Sequence, residues 1–363
     1  MNTAQPRHQQ PRSAQMPTHP TAIDPANPPT GSLHFVPETM RAVWADRYGD
    51  PSVLARRDDA PIPQLGEHDV LVHVHAAALN PLDWHYTTGT PYFMRLMAGV
   101  RRPKRTTPGA DLAGTVVALG SGVSEWRTGD AIVGETPRGG GCGEYAALDA
   151  RHAVAKPDDV GFDDAAATPV AGLTAIQALR THAAVQPGER VLINGAAGGV
   201  GTFAVQIARE IGAIVTGVCS TRNADMVTGL GADVVDYTVD DITRRVGEFD
   251  ALIDNVGNLG AASVDLLADD GRYVMVSGPK RNRWLDPLPA IVRTRMRFAR
   301  SGRSFHQFTA SPLRSDLDAL MEYLQSGAVV PQIDRTIGLD DVGDALTEIG
   351  NGHVPAKIVV HPA

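Results

Sequence analysis

Four glycines and three small apolar residues follow one another in Gly195-Ala196-Ala197-Gly198-Gly199-Val200-Gly201. Without Cβ atoms in the way, the backbone N–H groups of such a run can approach an anion closely. A run of this kind between a buried strand and a helix is typical of a turn that binds the pyrophosphate of a dinucleotide. The alternative is a turn whose glycines only let a helix pack closely against a sheet.

The sequence around this turn predicts a strand, a helix and a second strand. Val191–Ile193 is an apolar run of strand length, and Ala213–Val218 is a second one. Between them, apolar residues recur at helical spacing from Val200 to Ile211, and Gly212 ends the pattern. The stretch is therefore predicted to be a βαβ unit of a parallel sheet.

The residues after the second strand bear on which dinucleotide would bind. An NAD site usually places Asp or Glu about 20 residues after the glycines, on the ribose 2′-OH. Here the strand ends in Cys219-Ser220-Thr221-Arg222-Asn223, with no carboxylate before Asp225. Hydroxyls and a guanidinium can bind a 2′-phosphate, so we expect NADPH, with Arg222 as its bidentate partner. A solvated arginine at the start of a helix is the alternative.

Composition excludes several classes of protein. The chain has 363 residues, which is enough for two domains, and its 43% hydrophobic content is that of a globular protein. A net charge of −8 argues against a general nucleic-acid binder, and two cysteines rule out a disulfide framework. No apolar run reaches the roughly 20 residues that span a bilayer, so we expect a cytoplasmic enzyme. Residues 1–38 are rich in Pro, Gln, Thr and His and are predicted to be a disordered tail.

Short strands separated by turns follow the tail and predict a small β-barrel. The candidates are Arg41–Trp44, Val70–Ala77, Leu112–Leu119, Ala131–Gly134 and Glu144–Ala147. The chain becomes helical between Gly161 and Leu179. After the βαβ unit, strands are expected at Val234–Tyr237, Ala251–Asn255 and Tyr273–Ser277, and a helix at Asp225–Leu230. This alternation predicts a doubly wound parallel sheet of α/β class.

Two loops and a basic stretch complete the central part of the chain. Asp254–Gly257 and Ser277–Pro279 follow predicted strands, where ligands of such sheets bind. Lys280–Arg303 is rich in arginine and is predicted to be a helix that covers a cleft, although a membrane or partner surface is an alternative. The C-terminal part is expected to form helices at Leu317–Leu324 and Asp340–Ile349, with strands at Ile337–Leu339 and Lys357–His361.

Several motifs together resemble the medium-chain dehydrogenase/reductase superfamily, in its zinc-independent quinone oxidoreductase branch. They are Ala77–Asp83, Pro108–Gly114, Gly129–Gly134, Pro169–Leu179, Ala196–Gly201 and Gly352–Val360. The resemblance implies a GroES-like β-barrel catalytic domain interrupted by a Rossmann domain. It would place residues 39–172 and 310–363 in the catalytic domain and residues 173–309 in the NADP-binding domain.

The departures from zinc alcohol dehydrogenases indicate a different chemistry. Where those enzymes carry a ligand cysteine, this chain has Asn80-Pro81-Leu82-Asp83, and Gly109-Ala110-Asp111 replaces Gly-His-Glu. Both changes remove zinc ligands, so no metal is expected. A conjugated acceptor can take up hydride without a Lewis acid. The resemblance therefore implies NADPH-dependent reduction of a quinone or an α,β-unsaturated carbonyl.

The same resemblance implies roles for individual residues. Asn80 would lie beside the nicotinamide, with Asp83 supporting the loop and Thr174 approaching from the Rossmann side. Tyr86 and Tyr92 are candidate proton donors or substrate walls, and aromatic packing at the cleft edge is the alternative. At Ala356 the family more often has Gly. The expected cofactor-binding residues are Ala197, Gly198, Gly199, Val200, Ser220, Arg222, Tyr237, Asn255, Gly257, Ser277 and Lys357.

Two other functions remain open from the sequence. A trans-2-enoyl-thioester reductase would use the Arg293–Arg303 stretch to bind the phosphates of a pantetheine arm. A non-enzymatic NADPH-binding protein is the third possibility. On resemblance alone, a homodimer is expected, joined through edge strands of the Rossmann sheets.

Overall fold

The computed structural model describes residues 36–277, 288–352 and 354–363. Its strands, in chain order, are β1 (Thr39–Trp44), β2 (Ala55–Pro61), β3 (Asp69–Leu79), β4 (Asp111–Leu119), β5 (Ala131–Glu135), β6 (Tyr145–Asp149), β7 (Ala153–Ala155), β8 (Arg190–Asn194), β9 (Ile214–Cys219), β10 (Asp233–Asp236), β11 (Phe249–Asp254), β12 (Leu267–Met275), β13 (Ser304–Gln307), β14 (Ile333–Ile337) and β15 (Lys357–Val360). The helices are α1 (Pro81–Thr88), α2 (Arg95–Ala98), α3 (Phe162–Ala166), α4 (Pro169–Ile176), α5 (Gly199–Ile211), α6 (Ala224–Gly229), α7 (Ser263–Leu266), α8 (Leu288–Phe298), α9 (Arg314–Ser326) and α10 (Val342–Asn351).

Six parallel strands form one sheet in the order β10-β9-β8-β11-β12-β13. Counted from β8, this is the order 3-2-1-4-5-6 of a doubly wound dinucleotide-binding sheet. The predicted α/β class and parallel sheet are confirmed. The strand order reverses between β8 and β11, so a crevice opens there at the carboxyl ends of the strands, where ligands of such sheets bind.

Helix α5 packs on this sheet through its apolar stripe, as the sequence predicts. Phe203, Ala204 and Ile207 are fully buried, and Gly212 ends the helix in the left-handed conformation. Fully burying one large apolar side chain contributes about 1.5–3 kcal/mol, so the stripe fixes the helix firmly on the strands. The N-terminus of α5 is thereby held at the crevice.

The second large sheet is antiparallel except at one edge and has the order β14-β15-β3-β4-β5-β7, with β6 paired to β3. Its strands come from both ends of the chain, because β15 pairs with β3 over Ile358–Val360 and Ala77–Leu79. Helix α4 runs without interruption across the predicted boundary at residues 172 and 173. The predicted residue limits of the two domains remain a prediction, as does the disordered tail, of which residues 1–35 lie outside the described part.

The structure differs from the sequence-based prediction in several elements. The prediction of one helix over Lys280–Arg303 is wrong, because the described part of this stretch contains the shorter helix α8. Strand β13 follows it and pairs with β12 as the edge of the parallel sheet. Strand β14 ends at Ile337, so the predicted strand at Ile337–Leu339 is displaced toward the N-terminus. Strands β2, β7 and β13 and helix α1 were not predicted, since they lack a clear apolar period.

Both cysteines, Cys142 and Cys219, are free and buried. Within the described ranges, no helix is long and apolar enough to cross a membrane.

Candidate active site

The glycine turn joins the two sheets as well as opening α5. Gly198 is the N-cap of α5, and a Cβ atom added at Gly201 would lie 2.1 Å from the Gly195 carbonyl oxygen, so Gly201 must be glycine. Ala356, just before β15, donates its N–H to the Ala197 carbonyl oxygen at 2.8 Å. The last strand of the chain is therefore fixed against the turn expected to bind pyrophosphate.

Asp83 organises the start of α1. Its Oδ2 atom accepts the N–H of Asn80 at 2.9 Å, and its Oδ1 atom accepts the N–H of Gly109, also at 2.9 Å. An acidic residue at the third helical position reaches back to cap the helix in this way. Asp83 thus ties the loop before α1 to the loop before β4.

Asn80, Asp111 and Lys357 form a buried polar cluster between β4, α1 and β15. The Lys357 ammonium donates to Asn80 Oδ1 at 2.6 Å and to Asp111 Oδ2 at 3.1 Å. Asn80 Nδ2 donates to the same Asp111 oxygen at 2.8 Å. The other Asp111 oxygen accepts the N–H of Val170, at the start of α4, at 2.9 Å. The charged end of Lys357 is thus directed at this cluster, and its aliphatic part lies near Gly199.

Two further carboxyl groups near this cluster have raised pKa values. Burial raises the pKa of Asp83 to about 6, although the N–H groups of Asn80 and Gly109 act against the shift. Burial, and then the nearby Asp111 carboxylate, raise the pKa of Glu135 to about 7. Glu135 was not predicted as a site residue. The only sign of it in the sequence is its position directly after a predicted strand.

Tyr86 is covered by a guanidinium. The Arg105 guanidinium carbon lies 3.4 Å from the centre of the Tyr86 ring, within the range of a cation–π contact. The Nη1 atom of Arg105 is shielded from solvent and has no hydrogen-bond partner in the described part of the chain. Tyr86, Arg105 and Asp83 line the same small cavity. The ring of Tyr92, by contrast, faces the guanidinium of Arg95.

A second buried carboxylate, Asp254, organises the loop at the carboxyl end of β11. It accepts hydrogen bonds from Asn194 Nδ2 at 2.7 Å, from the Tyr273 hydroxyl at 2.8 Å, and from the N–H of Gly257 at 2.7 Å. Burial raises the pKa of Asp254. Because Asn194 ends β8 and pairs with Asp254 in the sheet, this network spans the crevice. Asp254 was predicted only as part of its loop, and Asn194 and Tyr273 were not predicted.

Asn255, next to Asp254, has both polar side-chain atoms shielded from solvent and without a partner among the described residues. Buried polar groups are almost always hydrogen-bonded, and an exception indicates a missing ligand or water. Ser277 lies at the neighbouring strand end, with its N–H 3.4 Å from the Asp254 carbonyl oxygen. Gly278 and Pro279 of the predicted loop lie outside the described residues.

The far end of the crevice contains a carboxylate that the linear sequence does not place there. Asp236, at the end of β10, accepts a hydrogen bond from the Thr221 hydroxyl at 2.5 Å. Ser220 precedes this threonine, Arg222 follows it, and Tyr237 is 61% exposed beside them. The segment from Cys219 to Asn223 has no carboxylate of its own, but the neighbouring strand supplies Asp236. Arg222 is exposed at the mouth of the crevice.

The structure brings the predicted residues together in two groups. Asn80, Asp83 and Lys357 meet at the barrel side, and Thr174 lies on α4, where its hydroxyl donates to the Val170 carbonyl oxygen at 2.6 Å. The second group follows the carboxyl ends of the parallel strands, from the glycine turn and Val200 to Asn255 and Gly257. Asn80 uses its side-chain amide within the buried cluster, so it holds the site together rather than facing a ligand freely.

Comparison with known proteins identifies the family. Residues 66–158 match the model of the alcohol dehydrogenase GroES-like domain, and residues 230–360 match that of the zinc-binding dehydrogenase. The chain is 30% identical over 346 residues to a 2-methylene-furan-3-one reductase of Solanum lycopersicum, covering 92% of this chain and 82% of that protein. It is 31% identical over 356 residues to the trans-enoyl reductase pgmF of Aspergillus terreus, covering 90% and 97%.

A solved structure agrees with these matches. The quinone oxidoreductase from Coxiella burnetii superposes with a TM-score of 0.79 at 29% identity, over 89% of this chain and 99% of that one. The chain belongs to the medium-chain dehydrogenase/reductase superfamily, in its quinone oxidoreductase branch. It is an oxidoreductase, and its GroES-like domain and Rossmann sheet are those of that family.

The site fits the nicotinamide cofactor that this family implies. Two observations support the fit: the N-terminus of α5 opens on the crevice behind a turn that needs glycine, and the Asn255 amide is buried without a partner among the described residues. The residues do not fit the zinc ion of related dehydrogenases. Ala110 has no ligand atom, and the Lys357 ammonium already neutralises Asp111. No mechanistic step therefore passes through zinc.

Proposed function

We propose that this protein reduces an α,β-unsaturated carbonyl or a quinone with NADPH and without zinc. The observation that carries the proposal is the buried Asn80–Asp111–Lys357 cluster. Asn80 and Asp111 lie in the two segments where related alcohol dehydrogenases carry zinc ligands, and here both bind the Lys357 ammonium instead. A site of this kind has no Lewis acid to generate an alkoxide, but a conjugated acceptor does not require one.

The bound dihydronicotinamide would supply a hydride. The chain's own residues would hold it in place. Asp254 fixes the loop that carries Asn255 and Gly257, and the buried Asn255 amide is available to donate and accept hydrogen bonds. The contact between Ala356 and Ala197 keeps the barrel against the glycine turn. Such fixed positioning accelerates a reaction by bringing the reacting groups together in the correct orientation.

The preference for NADPH is supported by Arg222 and Ser220 at the end of β9. Asp236 acts in the opposite direction through its negative charge. Its oxygens already accept hydrogen bonds from the Thr221 hydroxyl and from the Thr238 hydroxyl and N–H, which makes it a poor acceptor for a ribose 2′-OH. A planar guanidinium at this end can form two hydrogen bonds with a phosphate. NADPH is therefore the proposed cofactor.

The proposal is tested by a turnover screen. Purified protein with NADPH would be given quinones, short enones, enoyl thioesters and, as controls, saturated ketones and aldehydes. Oxidation of NADPH with quinones or enones, and not with saturated carbonyls, supports the proposal. Equal or faster turnover of saturated carbonyls would overturn it.

A second candidate, reduction of an enoyl thioester, is supported by the similarity to the trans-enoyl reductase. Two of the arginines expected to bind a pantetheine phosphate have structural partners instead. Arg297 pairs with Asp265 at 3.1 Å, and Arg303 Nε donates to the carbonyl oxygens of Leu267 and Ala268. Faster turnover of enoyl thioesters than of free enones in the same screen would favour this candidate.

The homodimer also remains a proposal. The edge strands of the parallel sheet are β10 and β13, and either could pair with its copy. Light scattering at micromolar concentration tests this, and a monomer would contradict it. The cytoplasmic location remains a prediction from sequence.

A further inference from the structure

We propose that Glu135 is the catalytic acid that donates a proton to the acceptor after hydride transfer. The inference rests on the proposed function, since reduction of an enone or quinone consumes a proton as well as a hydride. The hydride donor does not supply that proton. A side chain in the site, or water, must do so.

The register of the barrel strands places Glu135 beside the buried cluster of Asn80, Asp111 and Lys357. It is the last residue of β5 and pairs directly with Asp111, the first residue of β4. Residues directly opposite each other in an antiparallel pair project to the same face, with Cβ atoms about 4.5–5.5 Å apart. Asp111 is bound to Asn80, Lys357 and the start of α4. Glu135 therefore lies where the barrel meets the helix leading into the nucleotide-binding sheet.

Glu135 also differs from its carboxylate neighbours in having no partner. It is only 9% exposed, yet its carboxyl group forms no hydrogen bond with any residue in the described ranges. Asp83 and Asp111, by contrast, accept hydrogen bonds on both of their oxygens. The Glu135 oxygens are not among the solvent-shielded polar atoms without a partner, so part of the carboxyl group is exposed. The Glu135 carboxyl is available to an acceptor molecule.

Burial and the charges around Glu135 leave its carboxyl group partly protonated near neutral pH. Burial, and then the Asp111 carboxylate, raise the pKa of Glu135, and Asp83 adds to the rise. Arg105 and Lys357 lower it, which leaves a pKa of about 7. A general acid works best when its pKa is near the working pH, because it is then both protonated and able to release the proton. Tyr86, one of the two candidate proton donors in the sequence, has its ring stacked against the Arg105 guanidinium.

Proton transfer from Glu135 completes the reduction. Hydride addition at the β-carbon of an enone leaves an enolate, whose charge is shared by the α-carbon and the oxygen. The Glu135 O–H bond breaks, and its proton forms a C–H bond at the α-carbon with the enolate electron pair. Glu135 remains as a carboxylate and regains a proton from solvent. A quinone receives its protons on oxygen, which water can also protonate, so quinone reduction depends less on Glu135.

The experiment compares Glu135→Gln with wild type and with Asp164→Asn. Asp164 is a matched control, because burial raises the pKa of its carboxyl on α3 and no residue of the cluster contributes to that shift. For an enone, Glu135→Gln should lower kcat about 10²–10⁴-fold, the usual contribution of a general acid. Quinone turnover should fall far less, the dissociation constant of NADPH should stay the same, and Asp164→Asn should behave as wild type.

Two pH-dependent readouts separate this role from a structural one. Wild-type kcat for enones should decrease as pH rises through about 7, because the acid loses its proton, and the Glu135→Gln profile should lack this limb. Independently of turnover, carbon NMR of the cofactor-free protein should show one carboxyl that titrates near pH 7 and is absent from Glu135→Gln. If Glu135→Gln does not fold, Glu135→Asp should retain the limb at a lower rate.

The outcomes distinguish the two proposals. A wild type that reduces no conjugated acceptor would refute the proposed function, and this role with it. Normal enone turnover and an unchanged pH profile in Glu135→Gln would refute the role of Glu135 alone. The role of Glu135 would likewise be refuted if no carboxyl titrated near pH 7.

Discussion

The Lys357 ammonium and the Asp111 carboxylate lie 3.1 Å apart, with side chains only 2% and 0% exposed. Lys357 begins the last strand of the chain, and Asp111 begins β4, so the pair joins segments that are 246 positions apart in sequence. The Asn80 side chain accepts a hydrogen bond from Lys357 and donates one to Asp111, so both members of the ion pair have a further hydrogen-bond partner. The pair fixes the barrel at the point where it meets the glycine turn.

Breaking this ion pair should be costly because it leaves one buried charge uncompensated. Lys357→Met should lower the free energy of unfolding by about 3–5 kcal/mol. Adding Asp111→Asn removes the stranded charge, so the double variant should be more stable than Lys357→Met alone. Urea denaturation of the two single variants and the double variant measures this coupling. Additive losses would show that the two groups do not interact in the folded protein.

Replacing Ala356 by glycine should stabilise the folded protein. Its φ angle is +54°, in the left-handed region, which costs about 1 kcal/mol for a residue with a Cβ atom. Ala356→Gly should therefore raise the free energy of unfolding by up to about that amount. The control is Ala155→Gly in strand β7, where glycine should destabilise by about 0.5–1 kcal/mol. Thermal unfolding of both variants tests this prediction. If both variants were destabilised by the same amount, Ala356 would not be strained.

The elements with a clear apolar period could be predicted from the sequence. The βαβ unit around Val200–Ile211 and the long barrel strands were predicted because burial on one face leaves a regular pattern. Local patterns could not show which strand ends would be neighbours. Asp236 reaches Thr221 only because β10 pairs with β9, and Glu135 meets Asp111 only through the register of β4 and β5. These contacts are set by tertiary packing, which the linear order of residues does not reveal.

The buried Glu135 carboxyl should reduce stability at neutral pH. Its pKa is raised from 4.5 to about 7 in the folded protein. The folded state therefore holds this proton more tightly than the unfolded state does. The resulting contribution to stability is fully present below pH 4.5 and is lost as pH rises through 7. At 1.36 kcal/mol per pKa unit, the loss amounts to about 3 kcal/mol. Glu135→Gln does not titrate, so its stability relative to wild type should increase by about this much between pH 4 and pH 8. A difference that is constant with pH would contradict the raised pKa.

Cofactor preference should depend on two side chains of opposite charge at the end of the crevice. Arg222→Ala should weaken NADPH binding about ten- to a hundredfold through loss of a charge-assisted hydrogen bond, with NADH little changed. Asp236→Asn should strengthen NADPH binding relative to NADH, because it removes a negative charge near the 2′-phosphate. Dissociation constants of both cofactors for the three proteins test this. Equal losses of NADPH and NADH binding in Arg222→Ala would assign Arg222 to the fold alone.

In the proposed reaction, a hydride from NADPH is added to the conjugated carbon of an acceptor. The most direct test supplies NADPH carrying deuterium at C4 of its dihydronicotinamide, together with an enone, and locates the label in the product by NMR. Deuterium at the carbon β to the carbonyl, with the carbonyl intact, is the predicted result. Deuterium on the former carbonyl carbon of an allylic alcohol would show that the enzyme reduces the carbonyl directly, and would contradict the proposed reaction.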